Sequence, residues 1–330
     1  ALVNCLVGCS GPGSGLRSLP TLISLVSDHD IRICAAAIQA MGSLAPRGEP
    51  SVISALAPFL LHSNNAVRLC AENTLPIIAK GDAEWINRFC AELQAEPVEI
   101  RVKAIRILGN IAEKGDRRII RELSTFMQYN VKDCDATEKY AKTWAKASAI
   151  LALGKIANKG DRRVMRPMAV AIHDAECRIA EAAIRSFARL TEKGDKWAIK
   201  CLSSVFDKDL QCPFLRALQI LVLEVFGDIG EGGDSAIFKE AASHFRASDL
   251  EIRTQAVRTA GKVFQVGDHR AIQALSFVAK GDGDAYTRRV AEQALETAAA
   301  KEQASEDAER HLRCTCNANQ GVASCTCLIL

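Results

Sequence analysis

The stretch AIRILGNIAEKGDRRIIREL, residues 104–123, decides the fold. A run rich in alanine, leucine and isoleucine comes first, the pair Gly115-Asp116 follows, and a second run of arginine and isoleucine comes after it. Glycine adopts the left-handed backbone that commonly ends a helix. An aspartate side chain accepts hydrogen bonds from the free N–H groups at the start of a helix. The stretch therefore predicts two helices joined by a Gly-Asp turn.

The Gly-acid pair recurs along the chain with spacings of 33, 34, 45, 34, 39 and 34 residues. One period near 34 is kept, with two insertions, and such a period is typical of an array of helical repeats. The pairs are Gly48-Glu49, Gly81-Asp82, Gly115-Asp116, Gly160-Asp161, Gly194-Asp195, Gly233-Asp234 and Gly267-Asp268.

Apolar residues stand four, seven and eleven residues after each aspartate. These offsets mark one face of an α-helix, so we predict that this face of each second helix belongs to the core. The three columns are Ile86, Ile120, Met165, Ile199, Phe238 and Ile272; Phe89, Leu123, Met168, Leu202, Ala241 and Leu275; and Leu93, Met127, Ile172, Phe206, Phe245 and Ala279.

A second signature, an apolar residue followed by arginine, opens the first helix of many repeats. The pairs are Ile31-Arg32, Val67-Arg68, Ile100-Arg101, Leu215-Arg216 and Ile252-Arg253. Together with the alanine-rich run and the Gly-Asp turn, this signature resembles HEAT repeats of the bilin-lyase-like type over residues 16–296. The resemblance implies an all-α, right-handed α-solenoid of the armadillo type with about seven helix pairs. It also implies that these arginines tie neighbouring repeats together and that the second helices line the concave surface.

Three segments are expected along the chain. Residues 1–15 form a flexible or truncated N-terminal segment, residues 16–297 the solenoid, and residues 298–330 a polar spacer with a Cys-rich tail. The chain begins at Ala1, which suggests processing or a fragment. The longest insertion, Asn130–Thr143, either projects from one edge to contact a partner or is a surface loop whose length costs little.

Convergent polar groups at defined spacing, which an enzyme requires, are missing from the sequence. The six histidines are scattered, and no two stand at metal-ligand spacing on one predicted helix. Deoxyhypusine hydroxylase shares this architecture and binds iron through His-Glu pairs, but no His-Glu dipeptide occurs here. Bilin lyases share the repeat without a motif that maps onto this chain. We predict no catalytic residue, cofactor or metal, with a bilin lyase or hydroxylase-related enzyme as the alternative.

Four cysteines crowd into the tail, and three interpretations fit them. The tail is disordered, or its four thiolates bind zinc despite an unfavourable spacing, or it carries lipid. The last four residues match a geranylgeranylation box, which places a lipid on Cys327 and a second acyl chain on Cys325 if Leu330 is the native terminus. The other nine cysteines are scattered, as in proteins of a reducing compartment. The four tail cysteines are Cys314, Cys316, Cys325 and Cys327.

Basic residues recur at the start of the second helices in the middle of the chain. Residues 101–200 hold 22 Lys and Arg against 12 Asp and Glu, whereas the whole chain has a net charge of +3. The bases stand one, two and five residues after the aspartate, and offsets one and five share a helical face away from the core columns. We predict that they line up as a ridge across four consecutive repeats. The ridge consists of Arg117, Arg118, Arg121, Arg162, Arg163, Arg166, Lys196, Trp197, Lys200 and Lys239.

Such a ridge is either a solvated feature of the repeat or a binding site for an acidic protein or peptide. Nucleic acid is the second candidate partner, because backbone contacts require only a row of cations. Trp197 is the ridge's one aromatic residue, which argues against binding of single strands. The favoured function is a non-catalytic, cytoplasmic protein-binding scaffold or adaptor that reaches a membrane only through a C-terminal lipid.

Overall fold

The computed structural model describes residues 15–95, 97–129, 135–207, 214–265, 267–300 and 303, which form helices and turns without any strand. Even-numbered helices are the predicted first helices of the repeats, and odd-numbered ones are the predicted second helices. In chain order they are α1 (Gly15–Leu25), α2 (Ile31–Leu44), α3 (Pro50–Leu56), α4 (Asn65–Ala79), α5 (Ala83–Ala91), α6 (Val98–Ile111), α7 (Arg117–Ser124), α8 (Ala136–Ile156), α9 (Arg162–Ala171), α10 (Cys177–Leu190), α11 (Lys196–Ser203), α12 (Leu215–Ile229), α13 (Ser235–Ser243), α14 (Leu250–Val263), α15 (His269–Gly281) and α16 (285–300).

This alternation confirms the predicted all-α solenoid architecture. Over the described ranges, seven first-and-second helix pairs run from α2 to α15, preceded by α1 and followed by α16. The described residues divide into two compact units on either side of the bond between Glu192 and Lys193. Unit 1 contains α1 to α10, and unit 2 contains α11 to α16. The right-handed sense of the superhelix stays a prediction, as do the segment limits at 16–297.

The seven Gly-acid pairs form the turns between first and second helices. All seven glycines have positive φ, between 70° and 91°, and each acid accepts a hydrogen bond from a backbone N–H of the helix that follows. From the sequence we expected the glycine to end the first helix, but the helix ends before the glycine is reached. Helix α6 ends at Ile111, where Ala112 turns to extended backbone, and Gly115 is the third residue of the turn closed by Asp116 N–H to Glu113 O at 3.2 Å. That turn position requires positive φ, which favours glycine.

A further role of these glycines was not evident from the sequence. Six of them donate their backbone N–H to a carbonyl near the end of the first helix in the next repeat, at 2.7–3.0 Å. The last carbonyls of a helix have no partner within it, so each bond stabilises one helix end and joins two repeats. It also defines equivalent positions from repeat to repeat. The acceptor residues are Ile78, Ile111, Ile156 and Leu190 in unit 1, and Ile229 and Val263 in unit 2.

The predicted core face is confirmed and lies slightly rotated from its expected position. The column seven residues after each aspartate is buried throughout, whereas the columns at four and eleven contain half-buried members such as Ile120 and Met127. Residues three positions after the aspartate are also buried in every repeat and form a further apolar column that we did not predict. They are Trp85, Ile119, Val164, Ala198, Ile237 and Ala271.

The arginine after the apolar residue ties repeats together in unit 2. Arg216 pairs with Asp249, and Arg253 pairs with Asp282, each one repeat further along. Arg32 instead pairs with the aspartate that caps its own helix. The predicted ladder is therefore present between some repeats. In addition, three of these arginines donate to a carbonyl six residues earlier: Arg68, Arg101 and Arg253.

The long insertion is largely helical in its described part. Asp135 caps α8 by accepting from Glu138 N–H at 2.8 Å, and the helix runs for 21 residues. Residues 136–143, expected to project as a loop, thus extend a first helix at its N-terminal end, while residues 130–134 lie outside the described residues. The aromatic rings of Tyr140 and Trp144 lie side by side on this helix, with their centroids 5.6 Å apart.

No helix of the described residues combines the length and apolar character needed to cross a bilayer. The cysteine tail, including Cys325 and Cys327, lies outside those residues, as does nearly all of segment 1–15. Within them, Cys34, Cys70 and Cys90 are thiols rather than disulfides. Burial raises the pKa of the Cys34 and Cys90 thiols, so both stay neutral and pack as small apolar residues.

Candidate binding surfaces

The arginines of the predicted ridge lie at the N-terminal ends of α7 and α9 in unit 1. Arg121 and Arg166, at equivalent positions five residues after the aspartate, are both exposed. Two of the others are already bound, since Arg118 donates to Asn87 Oδ1 at 2.7 Å and Arg163 pairs with its cap Asp161 at 3.0 Å. Arg117 is exposed and Arg162 is half-buried.

The remaining members of the ridge belong to unit 2. Lys196, Lys200 and Lys239 are exposed, and Trp197 is half-buried. The predicted line across four repeats is therefore divided between the two units. Whether any of these residues contacts a partner stays a prediction.

A groove on the first helices of unit 1 was not predicted. Two adjoining cavities of about 560 and 520 Å³ share lining residues from α4, α6, α8 and α10. Six cationic side chains and two acidic ones line them, so the groove is strongly basic. The cations are Arg68, Arg106, Lys155, Arg178, Arg185 and Arg189, and the acids are Glu72 and Glu181.

The groove shows that the first helices form the concave layer of unit 1. Glu72 on α4 pairs with Lys155 on α8 at 3.1 Å, although α6 lies between these helices. Neighbouring helix axes are about 8–10 Å apart, so axes two helices apart would be about 16–20 Å apart on a flat layer. An inward curve of the layer shortens this gap and brings the two side chains together above α6. The expectation that second helices line the concave surface is wrong for this unit.

Small residues explain the direction of the curve. The hydrogen at Gly109 Cα faces Ala152, and a Cβ built there would lie 2.6 Å from Ala152 Cβ. Gly154 meets Ser186 in the same way, at 2.7 Å. First helices therefore approach one another closely, and the more closely packed layer of a curved array is its inner one.

Ion pairs organise the centre of the groove. The half-buried Glu72 carboxylate accepts from Arg106 and from Lys155, and Lys155 also donates to Asn110 Oδ1 at 2.8 Å. Burial raises the pKa of the Glu72 carboxyl, but Lys155 and Arg106 outweigh burial and hold that pKa below its usual range. The carboxylate thus stays charged at neutral pH.

The cations on α10 are held less firmly by neighbouring side chains than those at the centre of the groove. Arg185 pairs with Glu181 one turn earlier, and both side chains are about half exposed, so the pair contributes little. Arg178 lies over the Trp144 ring at 4.6 Å. Arg189 is exposed at the end of α10. These arginines leave positive charge available to a ligand at this end of the groove.

Sequence reasoning missed the groove because the columns were counted forward from each aspartate, into the second helix. Arg106 and Arg185 stand five residues before the carbonyl that accepts the glycine bond, and Lys155 and Arg189 stand one residue before it. Counting backwards from the end of each first helix would have revealed both columns. No cluster of three or more His, Cys, Asp or Glu that could hold a metal occurs among the described residues.

No protein-family model matches the chain, and no curated protein sequence matches it. Among solved structures it is similar to two engineered proteins. One has 16% identity and a TM-score of 0.34 over 90% of this chain and 94% of that one, and the other has 15% and 0.23 over 86% and 97%. A tumor overexpressed gene (TOG) domain array, from a structure of tubulin recruitment by microtubule polymerases, has 11% and 0.38 over 85% and 75%. At these values none of them assigns a family or a partner to this chain.

Proposed function

We propose that this helical repeat protein is a non-catalytic scaffold that binds an acidic protein or peptide in the first-helix groove of unit 1. The observation that carries the proposal is the excess of cations in a concave site of two adjoining cavities. Concave sites with converging polar groups bind ligands better than flat faces do. The glycine turns and their capping acids support assignment to the bilin-lyase-like type of HEAT repeat.

Charge complementarity is the basis for choosing an acidic partner. Positive surface attracts acidic segments and raises their association rate, and cations that face a partly enclosed groove are screened by salt less than fully exposed ones. The ridge on α7 and α9 is basic as well, but its side chains point outward and two of them are held by neighbours. We therefore place the groove ahead of the ridge.

The test compares three double charge reversals for binding of a fluorescent glutamate-rich peptide. The groove variant is Arg185→Glu with Arg189→Glu in α10. Its matched control is Arg258→Glu with Lys262→Glu in α14, which stand at the same distances from the end of their helix. The ridge variant is Arg121→Glu with Arg166→Glu. All six residues are exposed.

The groove variant should weaken binding about tenfold, because two reversed contacts at roughly 0.2–1 kcal/mol each, plus new repulsion, approach 1.4 kcal/mol. The control should change it less than about twofold, and binding should weaken as salt rises. Loss of binding in the ridge variant alone would assign the site to the ridge. Absence of peptide binding at low salt, or tighter binding of a single-stranded oligonucleotide, would overturn the proposal.

A further inference from the structure

We propose that the groove of unit 1 binds its partner as an extended segment with an acidic side chain at about every third residue. This inference rests on the proposed function and specifies the partner's sequence pattern. Its basis is the register of cations on α6, α8 and α10.

The glycine hydrogen bonds fix that register. Gly81, Gly115 and Gly160 donate to Ile111, Ile156 and Leu190, so those three acceptors are equivalent. The residues one position before these acceptors form a row that crosses the three helices. The residues four positions earlier lie on the same helical face and form a second row. The rows are Asn110, Lys155 and Arg189, and Arg106, Leu151 and Arg185.

The side chains of adjacent helices meet across these rows. Lys155 Nζ lies 2.8 Å from Asn110 Oδ1, which places neighbouring members of one row in contact. Asn110 is buried, so Lys155 and Arg189 are the members of this row that line the groove.

One carboxylate of unit 1 is already bound between cations of two adjacent first helices. Glu72 lies between a guanidinium on α6 and an ammonium on α8. A partner carboxylate beside Arg185 and Arg189 would likewise accept from two cations, here one turn apart on the single helix α10. The pair Glu181–Arg185 is exposed enough to open for it.

The spacing of the helices sets the spacing of the acids. First helices lie about 8–10 Å apart, and an extended chain in the polyproline II conformation rises about 3.1 Å per residue with three residues per turn. Every third side chain of such a chain therefore faces the groove at about the spacing of one helix. A helical ligand rises about 1.5 Å per residue and would require six or seven. An unbroken acidic run places only one carboxylate in three opposite a cation, and its other charges repel each other.

Two peptides of equal length and equal glutamate content test the pattern in titrations with the full chain. One carries glutamate at every third position among glycine and serine, and the other carries its glutamates in one block. The periodic peptide should bind about three- to tenfold more tightly, since it gains one or two further matched contacts. Arg185→Glu with Arg189→Glu should abolish the preference, whereas the α14 control should leave it.

Leu151 provides a gain-of-function variant, because it is the apolar member of its row and lines the groove. Leu151→Lys should improve binding of the periodic peptide by about two- to fivefold and improve the block peptide less. Equal affinity for both peptides, or tighter binding of the block, overturns the inference while the proposed function stands. Failure of both peptides to bind at low salt overturns the proposed function itself.

Discussion

Helix α10 of unit 1 and helix α14 of unit 2 are both first helices of a repeat, yet their exposed faces have different surroundings. In α10, Arg185 and Arg189 continue a basic groove that already contains Lys155. In α14, Arg258 donates to the Tyr286 hydroxyl and Lys262 pairs with Asp228 at 3.0 Å. The glycine hydrogen bond to the end of the helix is the same in both, from Gly160 to Leu190 and from Gly233 to Val263. The repeat therefore supplies a constant frame, and the side chains on the first-helix face decide what each unit can bind.

The largest expected effect comes from Glu72→Gln, which removes the negative charge at the centre of the groove. Arg106 and Lys155 would lose a charged, half-buried partner, so unfolding free energy should fall by about 1.5–3 kcal/mol at pH 7, measured by urea denaturation. In unit 2, Asp228→Asn removes an exposed partner of Lys262 and should cost about 0–1 kcal/mol. Equal costs for the two would mean that the groove's ion pairs are no different from surface pairs.

The lowered pKa of Glu72 predicts that the stability difference between wild type and Glu72→Gln depends on pH. Because the pKa of Glu72 lies below its usual value, its stabilising effect is present above the unfolded-state pKa of about 4.3. The effect is lost as the pH falls through the lower, folded-state pKa. The stability difference between wild type and Glu72→Gln should therefore be constant above about pH 5 and shrink in acid. A difference that grows as the pH falls would contradict this assignment.

A smaller effect distinguishes the close packing of first helices in the two units. Gly109→Ala places a Cβ 2.9 Å from the backbone of Ala152, and overpacking should cost about 1–2 kcal/mol after the gain in helix propensity. Gly227→Ala meets only the flexible end of Lys262, so it should be neutral or stabilising by up to about 1 kcal/mol. Thermal unfolding of the two variants shows whether each substitution lowers or raises the stability. Destabilisation by Gly227→Ala of the same size would show that Lys262 cannot move aside.

The sequence predicted those parts of the fold that depend on local backbone chemistry. The Gly-Asp period located every turn, because positive φ and helix capping require particular residues at particular positions. It did not reveal that Gly115 reaches Ile156, since that bond joins residues whose separation varies with each insertion. The direction of curvature was missed for a related reason. It depends on how closely Gly109 and Gly154 pack against the next helix, and only the packed structure shows this.

The smallest expected effect concerns Arg163 of the predicted ridge, which stands two residues after Asp161. Its counterpart after Asp234 in unit 2 is Ala236, and that turn still caps its helix through backbone N–H groups at 3.1 and 3.2 Å. The Arg163 guanidinium therefore adds to a cap that does not require it, and its side chain is 77% exposed. Arg163→Ala should therefore lower the free energy of unfolding only slightly, because an ion pair of such an exposed side chain contributes little. It should also raise the pKa of Asp161, measured by NMR titration, because the hydrogen bond from Arg163 holds that pKa below its usual range. Since a lowered pKa stabilises only above the ordinary titration range of aspartate, even this small effect should vanish in acid. The reverse change, Ala236→Arg, should stabilise unit 2 by no more than the same amount. A large loss of stability for Arg163→Ala would show that the guanidinium is structural, which would remove Arg163 from any partner-binding ridge.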